Sequence, residues 1–237
     1  MLQIEDVVAG YGATTVVQGI SLEVTGGSCG VLVGPNGHGK TTLLRVISGL
    51  LKARSGSITF DGDDITRLRA EKIVERGLIH IPQGDLVFPD MTVEENLILG
   101  AFTKSASKKA KSRLEEVFDI FPRLKERRDQ RSRTLSGGER RMLAIGRGLM
   151  GYAKLIMIDE PSLGLAPVIV DEVYRQIRRI TESGLTVLLV EENFSRARTL
   201  ADRIHLVENG VVVRSGGADD VLDDKTVRET YLGVSEE

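Results

Sequence analysis

The eight residues Gly34-Pro35-Asn36-Gly37-His38-Gly39-Lys40-Thr41 match the pattern G-x-x-x-x-G-K-[ST]. Before them stands a short β-branched and leucine run, Val31-Leu32-Val33, and after them a helix-forming stretch, Thr42–Leu50. A strand, a glycine turn and a helix in that order form a cradle for phosphate. The glycines let the backbone wrap an anion with its N–H groups, and the helix N-terminus adds its positive dipole. Lys40 would bring a full charge to the β and γ oxygens, and the Thr41 hydroxyl would ligate Mg²⁺. Read alone, the same residues are a glycine-rich turn; the flanking strand and helix select nucleotide binding. The feature also sets the fold class, because a strand buried on both faces and followed by a helix belongs to a parallel α/β sheet.

A second apolar run, Leu155–Ile158, ends in Asp159-Glu160. An apolar strand that stops at an aspartate fixes a carboxylate beside a phosphate-bound Mg²⁺, directly or through water. Glu160 can then face the water that attacks the γ-phosphate, as general base or orienter. Without the cradle this would read as a surface Asp-Glu pair. A third run, Thr186–Val190, continues the strand–helix alternation. Ser57–Phe60 alternates up to a polar Asp61-Gly62 turn, and Leu206–Val213 holds Asn209-Gly210 at its centre, so both predict antiparallel ribbons. Between about residues 84 and 150 the texture is helical. Leu114, Val117, Phe118 and Phe121 share one helix face, with Pro122 as the stop. From Lys104 to Arg133 there are eleven Lys or Arg against five Asp or Glu, a solvated basic surface or a face for an anionic partner.

Overall charge nearly cancels, with 32 Lys and Arg against 34 Asp and Glu, which argues against a chain devoted to gripping nucleic acid. Cys29 is the single cysteine, so neither an internal disulfide nor a cysteine-built metal site is available. The first residues show no basic, apolar leader, and no run of eighteen apolar residues occurs, so neither a secretory signal nor a membrane span is expected.

Leu135-Ser136-Gly137-Gly138-Glu139 precedes the second carboxylate motif and opens a helix, expected over Met142–Leu149. By itself Ser-Gly-Gly is a helix N-cap. In this order with the other two motifs it resembles the LSGGQ signature of ABC ATPases, with Glu139 in the glutamine position, and the resemblance spans essentially the whole chain. It implies a single ABC ATPase domain: a mostly parallel P-loop core with an antiparallel β subdomain (residues 1–83 and 151–237) and an inserted helical subdomain at about 84–150 carrying the signature. The resemblance places Tyr11 on the adenine, Gly34 to Thr42 (Gly34, Pro35, Asn36, Gly37, His38, Gly39, Lys40, Thr41, Thr42) around the phosphates, and Ser136, Gly137, Gly138 and Glu139 on the γ-phosphate of a companion subunit's ATP. It gives Thr41, Gln83 and Asp159 to Mg²⁺, and Glu160, Gln83, Lys40 and Glu192 to catalysis.

Several positions depart from the family pattern. The usual switch histidine is Glu192, whose carboxylate must turn away from phosphate, protonate, or bond through water; His205 lies too far along to replace it. Ala166 stands where an aspartate is frequent in the loop Pro161–Pro167. His38 is unusual inside the cradle, and its ring is expected to face away from phosphate. Glu160–Pro167, Val190–Asn193 and the ending Tyr231-Leu232-Gly233 resemble one branch, the LivF-like ATP-binding subunits of branched-chain amino acid importers, with urea and short-amide importers close by. Such chains often carry Glu at the Gln83 position. The resemblance implies ATP and Mg²⁺ as cofactors, a second ATPase subunit (the same chain or another), two transmembrane permeases, an extracytoplasmic binding protein, no nucleic acid, and a peripheral place on the cytoplasmic face of the cell membrane. Val87-Phe88-Pro89 and Met91 would then press on permease loops, or equally would be internal packing. A soluble, non-transport ABC ATPase is the competing class; its usual marks, long coiled coils or paired cassettes, are missing from this chain.

Overall fold

The computed structural model describes residues 1–84, 86–222 and 227. It is a mixed α/β fold with parallel and antiparallel sheet, in two compact units: residues 1–73 with the described residues of 186–237, and residues 74–185. The Tyr231-Leu232-Gly233 ending lies outside the described residues.

In the first unit β1 (Leu2–Tyr11) pairs antiparallel with β2 (Thr14–Val24) and with β4 (Ser55–Phe60), and β4 pairs with the short β5 (Asp63–Asp64). The register of β1 shifts between Ile4 and Val7, where Asp6 takes a φ of 47° and its N–H donates to Ser21 Oγ at 2.9 Å. That bulge breaks the alternation a sequence reading depends on. β3 (Cys29–Val33) runs parallel to both β8 (Thr186–Glu191) and β9 (Arg203–Glu208), and every residue of β3 and β8 is buried. This is the doubly covered strand that a continuous apolar run signals. β9 and β10 (Val211–Gly216) form the expected hairpin, and Asn209 and Gly210 both adopt positive φ in its turn. α1 (Lys40–Ile47) follows β3, and α9 (Phe194–Leu200) follows β8.

In the second unit β6 (Leu78–Ile81) is parallel to β7 (Leu155–Asp159), whose five residues are all buried. The rest is mainly helical: α3 (Val93–Leu99), α5 (Ala110–Ile120), α6 (Pro122–Glu126), α7 (Gly137–Leu149) and α8 (Pro167–Glu182). Leu114, Val117, Phe118 and Phe121 are buried, as their spacing predicts. α5 stops at Ile120, just before Pro122, as expected, and a second short helix follows at once. Phe121 leaves helical geometry and Pro122 opens α6 at its first turn, where a fixed φ and a missing N–H cost little. No helix among the described residues is long and apolar enough to cross a membrane.

Candidate nucleotide-binding and hydrolytic site

The loop after β3 is forced by sterics as much as by its glycines. A Cβ on Gly34, which sits at φ 146°, would lie 2.1 Å from the Val207 carbonyl oxygen, so the chain can turn there only without a side chain. Gly39 caps α1 in the left-handed region and offers no side-chain acceptor, and the first turn of α1 has no acidic residue. The positive end of the helix dipole therefore meets no carboxylate in its own first turn and suits an anion. Lys40 is buried, and its Nζ donates to the carbonyls of Gly34 at 2.6 Å and Pro35 at 2.8 Å, which holds the ammonium over the loop. Thr41 is half-buried and Thr42 buried beside it. Together they present donors, one cation and a hydroxyl, a set suited to polyphosphate.

His38 turns its ring to the β9–β10 hairpin. Its Nδ1 accepts the Asn209 N–H at 3.0 Å, and its carbonyl accepts the Gly210 N–H at 3.1 Å. That nitrogen is occupied in bracing the loop. Tyr11, at the end of β1, is 43% exposed, and its hydroxyl accepts from Arg45 Nη1 at 2.9 Å. Burial works against ionisation of this phenol, but hydrogen bonds with Thr42 and Arg45 and the Arg45 charge outweigh it and lower its pKa. The ring face stays open while the hydroxyl is tied to α1.

At the end of β8 the switch segment differs from expectation in one residue. Glu192 is exposed at the start of α9. Its neighbour Glu191 is buried, and its Oε1 accepts the N–H groups of Glu192 at 3.1 Å and Asn193 at 2.9 Å. Asn193 Oδ1 in turn caps α9 by accepting the Arg196 N–H. Glu191 thus sets the backbone that presents Glu192. The sequence reading ended this strand at Val190 and gave Glu191 no role.

The second unit brings the predicted hydrolytic pair together. Gln83, just past β6, donates from Nε2 to Glu160 Oε2 at 2.9 Å. Glu160 is 9% exposed and lies at φ 44°, a left-handed turn directly after the buried Asp159. A carboxylate held by an amide, mostly shielded from water and next to a second carboxylate, is a competent base or water orienter. Arg141, a residue absent from the sequence-based expectation, organises the backbone around this pair. It is 2% exposed and donates to the carbonyls of Pro82 at 3.1 Å, Gly84 at 2.7 Å and Asp159 at 2.6 Å.

The signature segment is a capping box. Ser136 Oγ accepts the Glu139 N–H at 3.3 Å, while Glu139 Oε2 accepts the Ser136 N–H and hydroxyl, each at 2.9 Å. α7 therefore begins at Gly137 and not at Met142. The polar Glu139-Arg140-Arg141 run hid its first turns, although Ser-x-x-Glu is itself a helix-start signal. Glu139 also meets Arg127 Nε at 2.7 Å. Partial burial raises its pKa, but the Ser136 hydrogen bonds and the Arg127 charge prevail and lower it. The substitution of Glu for Gln is thereby neutralised locally. A Cβ on Gly138 would stand 2.0 Å from Ile169 Cγ2, so a glycine here lets α7 and α8 close on each other. Ala166 at the start of α8 supplies no side-chain cap.

A glycine cradle closing on a helix, an amide-held glutamate at a buried strand end and a capped Ser-Gly-Gly helix define a nucleotide-dependent ATPase of the ATP-binding-cassette class. The chain belongs to the ABC transporter family, whose model matches residues 17–163. It is 42% identical over 98% of its length, and 100% of the relative's, to the high-affinity branched-chain amino acid transport ATP-binding protein BraG of Pseudomonas aeruginosa. It is 34% identical over 99% of both chains to the probable branched-chain amino acid transport ATP-binding protein LivF of Archaeoglobus fulgidus. It is also 33% identical, over 94% of this chain and 93% of the relative, to the lipopolysaccharide export system ATP-binding protein LptB of Escherichia coli. Among solved structures, an ATP-binding cassette of an ABC transporter in its ADP conformation superposes with a TM-score of 0.85 at 30% identity, covering 99% of each chain.

Proposed function

We propose that this chain is the ATP-hydrolysing subunit of an importer for branched-chain or similar hydrophobic amino acids. The 42% identity to BraG along nearly the entire chain carries the cargo assignment. The Gln83–Glu160 hydrogen bond carries the assignment of hydrolysis over mere nucleotide binding. Lys40 and the backbone N–H groups of the Gly34–Thr42 loop, Pro35 excepted, bind the β and γ phosphates, and the exposed Tyr11 face stacks on adenine. By resemblance to the family the Mg²⁺ ligands would be the Thr41 hydroxyl, the Asp159 carboxylate and Gln83, oxygen donors suited to a hard cation, and the ion would supply charge to offset that developing on the phosphate oxygens. Glu160 takes the proton of the attacking water, and Gln83 fixes the carboxylate that does so. Glu192, exposed at the switch position, would either bond to the transferred phosphoryl group through water or as a protonated acid, or turn away from it.

The reading extends to assembly. Residues 84–150 serve as a helical subdomain on a P-loop core of 1–83 and 151–237. Ser136, Gly137, Gly138 and Glu139 meet the γ-phosphate bound by a companion ATPase subunit, so ATP favours closure through its greater affinity for the closed pair. Leu86, Phe88, Ile98, Leu99 and Phe102 are exposed apolar side chains, and Val87 and Met91 are half-buried. Apolar exposure of that kind suits two permease subunits on the cytoplasmic face of the membrane, with an extracytoplasmic binding protein choosing the cargo.

The test is uptake. In cells lacking the gene, entry of labelled leucine, isoleucine and valine falls, and the wild-type chain restores it while Glu160→Gln does not. Loss of labelled urea uptake instead would move the cargo to the short-amide branch. Unchanged uptake of both would end the importer reading.

A further inference from the structure

Helix α7 carries the signature at its N-terminus, and further along it carries a buried cation. Arg141 spreads its guanidinium over three backbone carbonyls, those of Pro82 and Gly84 on either side of Gln83, and that of Asp159 immediately before Glu160. These carbonyls belong to the two segments whose side chains form the 2.9 Å Gln83–Glu160 pair. Lysine could not reproduce such a grip, because a single ammonium cannot present the planar fork that spans separate acceptors. Gln83 itself is exposed, and Glu160 sits in a left-handed turn that favours no particular side-chain position by itself. The pair's geometry is therefore inherited from backbone that Arg141 clamps. On the same helix Arg147 donates to the Leu86 carbonyl at 2.6 Å and lies 5.2 Å from the Phe88 ring centroid. Gly84 and Leu86 are thus both held to α7.

We propose that Arg141 is a positioning residue for hydrolysis: it fixes the Gln83 segment and the end of β7 to the signature helix, so that displacement at Ser136 is carried to the water-orienting pair of the same subunit. This deepens the hydrolytic reading given above and rests on it. Arg141 reaches no phosphate in this scheme; it acts through Gln83 and Glu160.

The experiment compares the full chain with Arg141→Gln, Arg141→Lys, Gln83→Ala and the Gln83→Ala/Arg141→Gln double variant. MgATP affinity is measured by equilibrium binding and hydrolysis by single turnover, with folding checked by circular dichroism. Displacing a water-orienting group typically costs about tenfold to a hundredfold in rate. Arg141→Gln is therefore expected to lower the hydrolysis rate about tenfold or more, with ATP affinity within about twofold of wild type. Arg141→Lys, which keeps the charge and part of the donation, should recover part of the loss. In the Gln83→Ala background the Arg141 effect should shrink to about twofold, because residues acting as one unit are not additive. A folded Arg141→Gln chain that hydrolyses at the wild-type rate overturns the proposal, as does an undiminished effect in the Gln83→Ala background. If Arg141→Gln fails to fold, Arg141→Lys takes its place in the cycle and is held to the same two criteria. A wild-type chain that binds MgATP without hydrolysing it, alone or with its companion ATPase, would instead defeat the hydrolytic reading.

Discussion

Glu191 shows how much a single residue can matter without touching the chemistry. Its carboxylate is buried and satisfied by two successive backbone N–H groups, the arrangement that fixes a turn at the end of a strand. Removing it strands those donors and unpins the start of α9. Glu191→Ala is expected to cost about 1–3 kcal/mol of stability, whereas Glu192→Ala, on the exposed neighbour, should stay within about 0.5 kcal/mol. Denaturant titration of the two variants checks the order; equal losses would contradict the roles given to the pair. Glycine carbons and a lone lysine marked the cradle in the sequence because few residue types can serve there. Glu191, Arg127 and Arg141 left no such mark, since a charged residue next to a motif has the same appearance whether it faces solvent or braces backbone. Only the buried positions of Glu191 and Arg141, and the approach of Arg127 to Glu139, separate these cases.

Among the elements, α7 bears most of the functional geometry. Its capping box orders Ser136 and Glu139, Arg141 holds the Gln83 segment, and Gly138 lets it approach α8. Gly138→Ala should destabilise the chain by about 1–3 kcal/mol through overpacking against Ile169. Ile169→Ala in the same chain should restore most of that loss, because the clashing Cγ2 is then gone. Thermal unfolding of the single and double variants decides it, and an unrescued double variant would place the strain elsewhere. The elements most legible in the sequence were β3, β7 and β8, whose apolar runs are buried throughout. The least legible were the individual strands before residue 25, where the bulge at Asp6 resets the period, and the start of α7, where polar residues occupy the first turns.

At the scale of the whole molecule, stability carries a pH signature. His205 on β9 is buried, with Nδ1 2.8 Å from Ser215 Oγ and Nε2 3.2 Å from the Glu23 carbonyl oxygen. Burial, helped by the Arg203 charge, pushes its pKa from 6.5 down to about 4. The unfolded chain therefore takes up this proton first. The associated stability is fully present above pH 6.5 and is lost as pH falls toward 4, to a limit of about 3 kcal/mol. His205→Gln should flatten that part of the stability curve, and a slope unchanged between pH 7 and 4 would assign the loss to other groups.

The fold class and three motifs were legible because each is a run of consecutive residues. The pairings of Gln83 with Glu160 and of Arg141 with Asp159 were less so, because they join positions 77 and 18 residues apart in the chain. What links these scales is the proposed division of labour: the cradle would grip nucleotide whether or not Glu160 keeps its carboxylate, and Glu160, positioned by Gln83 and Arg141, would govern loss of the bound γ-phosphate. Equilibrium MgATP binding and single-turnover hydrolysis on Glu160→Gln, in parallel with wild type, test that division directly. The account predicts affinity within about twofold and a hydrolysis rate lowered by about a hundredfold or more. Hydrolysis at the wild-type rate by the folded Glu160→Gln chain would contradict it.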